Sequence, residues 1–300
     1  MMDLMIFDSH AHIFAPAVVE NVSRLNGLAA SLSLDIDGAR RRLDKAALKR
    51  EARSSGIKGC LLLPTAPVDG VRKMNDRFIG IVEGEEGLVT AGTLHPAAPG
   101  MDEELDRLSS RGIRALKFSS FSQGFDLASR EAFRLLENIR ARNLSGETFF
   151  VVLDTFYQAD IYFGVPREHV TTPEKLGRLA SIFPEIDFVG AHMGGLAAPW
   201  REIARHIIPR TNLYLDTSNA SHVLTREQFL RMLRLHGSER ILFGTDWPWF
   251  GYAEEVPRIQ GLLSEAGFSL EEQSLVFSGN ITRLLGKGAD AEKRGLTRIR

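Results

Sequence analysis

Two imidazoles two residues apart, His10 and His12, close the apolar run Met5-Ile6-Phe7-Asp8-Ser9. Side chains of a β-strand alternate faces, so Ile6, Asp8, His10 and His12 are expected on one side. Imidazole is the commonest protein ligand for metals near neutral pH, and two on one strand face can grip a single ion. A lone His-x-His pair also fits two half-exposed histidines at a strand end, so the reading depends on where further donors stand. They recur at the ends of later apolar runs, as His95, Lys117, Asp154, His192 and Asp246. Each has an ordinary role open to it. His95, before Pro96, can simply hydrogen-bond a loop, and Asp154 and Asp246 can cap helices. Lys117 can pair with a carboxylate, anchor a substrate or, once carbamylated, bridge two metals; the first two are preferred, because a buried amine finds a carboxylate or loses its proton. Together at the ends of strands, these residues point to a metal-assisted reaction. His206, His222 and His236 lie on or beside expected helices and read as surface histidines. His169, in an insertion, is a weak candidate ligand.

Such a constellation needs strands to aim it. Runs rich in Val, Ile, Leu and Phe recur eight times, at Leu4 to Asp8, Ile57 to Leu63, Leu88 to Leu94, Ile113 to Phe118, Thr148 to Asp154, Ile186 to His192, Leu213 to Asp216 and Ile241 to Asp246. Amphipathic stretches separate them, among them Asp102 to Arg111, Ser129 to Asn143, Pro173 to Phe183, Trp200 to Ile208, Arg226 to His236 and Glu254 to Ala266. Thr172-Pro173-Glu174 carries an N-cap followed by Pro, and Thr225 with Gln228 reads as a capping box. This β-α alternation predicts an α/β fold, a closed (β/α)8 TIM barrel in a single domain over 1–300, with catalytic groups at the strand C-termini. An open doubly wound sheet is the alternative, but no Gly-rich dinucleotide fingerprint follows the first strand. Two connections are long. Residues 14–55 form a helical insertion expected over the active-site mouth, with one helix from Asp37 to Arg53. Residues 155–171 form an apolar insertion that suits a loop packed on a neighbour, a substrate wall or a homodimer contact. The polar tail, 286–300, is expected to fray.

With 44% hydrophobic and 25% charged residues and a net charge of −1, the chain has no electrostatic case for nucleic acid or an anionic membrane. No apolar run reaches the roughly 18 to 20 residues of a transmembrane helix. The single Cys60 cannot form an intramolecular disulfide and sits in an apolar run, so a cytoplasmic protein with a small-molecule substrate is expected.

The segments Asp8-Ser-His10-Ala-His12, Gly190-Ala-His192-Met-Gly-Gly195 and Phe243-Gly-Thr-Asp246-Trp-Pro248 resemble three signature strand ends of the amidohydrolase superfamily. The resemblance is greatest to its amidohydrolase-2 branch of metal-dependent hydrolases and decarboxylases. Phe277-Ser-Gly-Asn280-Ile-Thr-Arg-Leu-Leu-Gly286 resembles the Asn-containing turn and final helix of that branch, so the similarity spans nearly the whole chain. The resemblance implies that His10 and His12 bind a divalent metal, usually Zn2+, and that Asp246 is a further ligand or the general base. It makes His192 a catalytic residue, as in the decarboxylases, or a ligand, as in binuclear relatives. One departure stands out: the fifth strand normally ends in a His ligand, and here it ends in Asp154. A carboxylate also binds zinc, so His10, His12, Asp154 and Asp246 are the expected metal set, with Mn2+ an option for a harder donor set.

The expected function is hydrolysis of a small lactone, amide or ester by a metal-activated water, with His192 and Asp246 managing protons and Lys117 orienting the substrate. Non-oxidative decarboxylation of an aromatic or unsaturated acid is the alternative, and a non-catalytic binding barrel is the alternative of another class. Trp247, Trp249 and Phe250 are expected to pack the last loop or to wall the substrate.

Overall fold

The computed structural model describes residues 4–286; the expected tail beyond Gly286 lies outside them. Parallel strands alternate with helices along the chain. They are β1 (Ile6–Ala11), β2 (Ile57–Leu62), β3 (Leu88–Thr90 and Gly92–Thr93), β4 (Ala115–Phe118), β5 (Phe150–Leu153), β6 (Asp187–Gly190), β7 (Leu213–Asp216) and β8 (Ile241–Leu242). Each pairs with the next in chain order. The two pieces of β3 flank Ala91, whose N–H donates to Leu62 O at 2.8 Å and carries the sheet across the break. Gly92 admits the helix outside it, because a Cβ there would lie 2.5 Å from Leu108 Cδ1.

The first and last strands also meet. Ser9 N–H donates to Phe243 O at 2.8 Å, Asp246 N–H to His10 O at 2.9 Å and His12 N–H to Trp247 O at 2.7 Å. These bonds join the eight strands into the (β/α)8 barrel that the alternation predicts. Phe7, Leu61, Phe150, Val152, Val189 and Leu242 fill its interior, where Ile281 and Leu284 of the final helix join them at the end opposite the strand C-termini. A second layer, between sheet and helices, contains Ile6, Ala11, Leu62, Leu116, Leu153 and Leu215.

Several helices begin where a side chain satisfies their first N–H groups. Thr172 accepts from Lys175 N, and both Thr225–Gln228 and Ser269–Glu272 form capping boxes. The first insertion differs from its expected single helix. Asp35 caps Ile36–Arg41 and Asp44 caps a separate helix, Lys45–Ser54, so a second N-cap breaks the run. A helix at Val71–Val82 was not among those read from the sequence; it starts after Gly70 without a side-chain cap and buries a polar Asn75 on its inner face. Asn280, in the final motif, donates to Ser238 O at 2.7 Å and Ile241 O at 2.8 Å, which ties the last helix to the start of β8.

The two insertions pack on each other. Val19, Val22, Leu28 and Leu32 of the first share one apolar cluster with Phe156, Ala159 and Val170 of the second and with Trp249 and Phe250 after β8. Tyr162 Oη bonds Ser31 Oγ at 3.1 Å. Ile161 is still 72% exposed. Among the described residues, no helix is long and apolar enough to cross a membrane.

Two histidines expected at the surface are held inside. His222 bonds Glu255 Oε1 at 2.7 Å and stacks on Phe250, because the helix after β8 and the loop that leads into it bring these residues against it. His236 is buried, with Nε2 donating to Ile207 O at 3.2 Å and Nδ1 without a partner among the described residues. Burial pushes the His236 imidazole down to about 4, against the opposing pull of that hydrogen bond. Between about pH 6.5 and 4, an unfolded chain therefore binds a proton that the native chain refuses, and stability falls as the pH is lowered through that window, by about 3 kcal/mol at full extent. His236→Gln keeps a donor for Ile207 O, and its urea midpoints at pH 7 and pH 4.5 should differ by less than those of the parent. An unchanged pH dependence would show that His236 is not a source of acid sensitivity.

Candidate metal centre and active-site cavity

The carboxyl ends of the strands converge on a cavity of about 400 Å³, lined at its floor by His12, Lys117, Asp154, His192, Asn219 and Asp246. The way β1 delivers its histidines differs from simple alternation. Asp8 pairs with Cys60 and Ala11 with Leu62, so three steps on β1 answer two on β2. This bulge re-aims the strand. Phe7 points into the barrel while Asp8 reaches out to Thr245 and Tyr252, and beyond the bulge His10 returns to the centre. Asp8 therefore does not share the face of His10. Its Oδ1 accepts from His10 N and Thr245 N, and its Oδ2 from Thr245 Oγ1 and Tyr252 Oη, which fastens the chain beside Asp246. Burial pushes the Asp8 carboxyl up to about 7, even against these hydrogen bonds.

His10, His12 and Asp246 form one group of potential ligands. His12 Nδ1 lies 3.0 Å from Leu63 O, to which it donates. His10 Nδ1 donates to Asp216 Oδ2 at 2.8 Å. Both rings therefore present an Nε2 lone pair, and these nitrogens stand 3.1 Å apart. Asp246 Oδ1 is 3.4 Å from His12 Nε2 and 3.8 Å from His10 Nε2. Two lone pairs and a carboxylate converging without a donor repel one another. A cation between them reverses the sign, and two donors about 2.0–2.1 Å from one tetrahedral zinc lie roughly 3.3 Å apart, so these residues fit a divalent ion. Burial pushes His10 down to about 4, with Asp216 opposing, which keeps the ring neutral and its lone pair available at pH 7. For Asp246 burial favours the neutral acid, but the imidazoles of His12, His192 and His10 around it outweigh burial and hold its carboxyl below the usual range.

Asp216, at the end of β7, was not singled out in the sequence although the strand-end rule covers it. It forms a second group with His10 and His192, but its oxygens are already committed. Oδ2 takes His10 Nδ1, and Oδ1 takes His192 N–H at 2.8 Å, Ser218 N–H at 3.2 Å and Ser218 Oγ. A carboxylate so occupied orients the ligand histidine. Burial works against its charge, yet the His10 ring and these donors bring its pKa down to about 2. His192 Nδ1 donates to Ser218 O at 2.8 Å, which leaves Nε2 as its free nitrogen. The backbone is left-handed at His192 (φ 56°), Asn219 (φ 54°) and Asp246 (φ 64°), a conformation uncommon outside glycine and concentrated here at the cavity floor. Gly244 leaves room for β1, since a Cβ there would lie 2.8 Å from His10 Cβ.

The remaining candidates divide. Asp154 lies outside both ligand groups: its Oδ1 accepts from Phe156 N at 3.0 Å and its Oδ2 is 4.0 Å from Lys117 Nζ. Lys117 is 1% exposed, and its Nζ has no hydrogen-bond partner among the described residues. His95 keeps to the loop, with Nε2 donating to Gln123 O at 3.1 Å and Nδ1 accepting from Ala97 N. His169 belongs to neither ligand group. Trp249 walls the cavity beside Phe14, whereas Trp247 is fully buried with its indole N–H donating to Glu51.

Comparison with known proteins bears on the fold and the family. No curated protein matches the sequence. Solved structures share the fold at low identity. A TIM-barrel protein from Bordetella bronchiseptica superposes with a TM-score of 0.72 at 18% identity, covering 95% of this chain and 99% of that one. A dihydroxybenzoic acid decarboxylase from Polaromonas sp. JS666, with bound manganese and the inhibitor 2-nitroresorcinol, gives 0.67 at 18% identity, covering 97% and 99%. A protein described as a probable 2-pyrone-4,6-dicarboxylic acid hydrolase from Acinetobacter baumannii, with citric acid bound, gives 0.60 at 15% identity, covering 94% and 99%. The family model described as Amidohydrolase matches residues 69–287. The strand-end motifs, the converging imidazoles and this match over most of the sequence lead to one assignment: the chain belongs to the amidohydrolase family of enzymes.

Proposed function

We propose that this protein is a metal-dependent hydrolase of a small lactone, amide or ester. The observation that carries the reading is the pair of Nε2 lone pairs 3.1 Å apart beside Asp246. His10, His12 and Asp246 would hold the ion, zinc by the preference of a nitrogen-rich donor set, with manganese as the second choice. A divalent ion there supplies Lewis acidity and lowers the pKa of water. Asp246, held ionised, accepts the proton released by the attacking water. His192, fixed through Nδ1, takes that proton on Nε2 and passes it to the leaving group. Lys117 orients the substrate's carbonyl or carboxylate oxygen, and Asp154 balances that ammonium when the cavity is empty of substrate. Decarboxylation of a carboxylic acid is the second reading. It is favoured by the Lys117 ammonium at the floor, which has no hydrogen-bond partner among the described residues and would hold the substrate carboxylate while His192 Nε2 relays a proton from water to the carbon that CO2 leaves.

Metal analysis of untagged protein prepared without chelators is expected to find about one zinc or manganese per chain. His10→Ala and Asp246→Ala should lose it, and Asp154→Ala should retain it; loss in Asp154→Ala as well would move that carboxylate into the ligand set. Asp216→Asn should weaken binding by roughly 10- to 100-fold in a competitive chelator titration, the usual effect of removing a carboxylate that orients a ligand histidine. Turnover of a panel of lactones, esters and carboxylic acids separates the two reactions: hydrolysis of an ester releases a proton, whereas decarboxylation takes one up and evolves CO2. A metal-free parent that binds neither ion after supplementation would overturn both.

A further inference from the structure

The cavity carries a strong asymmetry between floor and roof. Two polar groups at the floor lack partners among the described residues. Lys117 Nζ has only Asp154 at 4.0 Å, and both amide atoms of Asn219 are unpaired although the residue is fully buried. A buried amide without a partner is destabilised, and a polar group that enters the cavity can complete it. Asn219 also sits in the left-handed conformation beside Ser218, which fixes its position next to the Asp216 network. Above this floor the lining is apolar, formed by Phe14, Val22, Leu32, Phe121, Phe163 and Trp249. Arg77 is the remaining cation of the lining, and it lies exposed at the rim.

We infer that the substrate is a one-headed acyl compound: a single carboxylate or acyl carbonyl bound by the Lys117 ammonium and the Asn219 amide, with an uncharged apolar body beneath the roof. The cavity has room for about a dozen non-hydrogen atoms at the roughly 30 Å³ that a water-sized group takes. A head of three atoms therefore leaves space for an aryl ring with a short linker, or a chain of about six to eight carbons. A second charged group on the body would be stripped of water against Leu32 and Trp249 unless it reached Arg77, the exposed cation of the rim. This inference rests on the reading of the cavity as the substrate site of the enzyme proposed above, and it holds for hydrolysis and decarboxylation alike.

The test measures binding apart from turnover. Isothermal titration of the metal-loaded protein with acetate, butyrate, hexanoate and octanoate should show affinity rising about threefold to fourfold per added CH2, the burial of one methylene being about 0.8 kcal/mol. Suberate, which is octanoate with a second terminal carboxylate, should bind at least 100-fold more weakly than octanoate. Asn219→Gly removes the amide while tolerating the left-handed backbone, and should cost octanoate at least tenfold. Asn219→Asp should cost more by repelling the head. Leu32→Asp should flatten the dependence on chain length, and Leu32→Met should restore it, which separates the role of the wall from a loss of folding. Equal binding of suberate and octanoate, or no gain with length, would overturn the inference. Octanoate binding as described in a protein with no hydrolase or decarboxylase activity would sink the proposed reaction and leave the ligand class standing. Turnover confined to small polar lactones would do the reverse.

Discussion

The carboxylate of Asp216 is the constraint on which the site depends. A buried charge is tolerated only where donors surround it, and here the donors are the parts that must be aimed: the His10 ring, the backbone at His192 and Ser218. Satisfying one anion thus fixes the tautomer of a ligand, the start of the left-handed segment at His192 and the position of the serine that leads to Asn219. The neutral state of His10 follows from the same burial that makes Asp216 expensive. Ligand basicity and ligand orientation have one physical origin.

Closure of the barrel adds the second half of the positioning. Backbone bonds from β1 to the residues after β8 place His10 and His12 beside Asp246, and the bulge in β1 turns one strand to two tasks. Before it, Asp8 points outward and clamps Thr245 and Tyr252; after it, the two imidazoles point inward. The strained backbone of Asp246 is thereby held between two fixed points.

Much of this was legible in the sequence. The eight apolar runs and the capping box at Thr225 follow from periodicity and residue type, and the grouping of His10, His12 and Asp246 from the resemblance of the strand ends. What escaped had physical reasons. The bulge adds one residue to a period of two, and alternation alone assigns Asp8 to the wrong face. Asp216 ends β7 as plainly as Asp246 follows β8, but its role lies in its hydrogen bonds, which no spacing displays. Asn219 stands beyond a strand end, where only the three-dimensional lining shows that its amide lacks a partner. Asp154 illustrates the opposite case: its place in the chain suggested a ligand, and its local bond to Phe156 N and its proximity to Lys117 set it apart from the ligand group. His236 reads as a surface residue on an amphipathic helix, yet it falls on the inner side of that helix, against Ile207.

The shared apolar cluster of the two insertions and the loop after β8 has a consequence for how such an enzyme changes over generations. Three segments far apart in the chain form one packed body, so a substitution in any of them alters the fit of the other two. New preferences would arise through matched changes in all three, inherited together, while the charged floor beneath stays as it is. The chain carries two parts that would be inherited differently: a floor set by the strand ends, and a covering whose three segments pack as one.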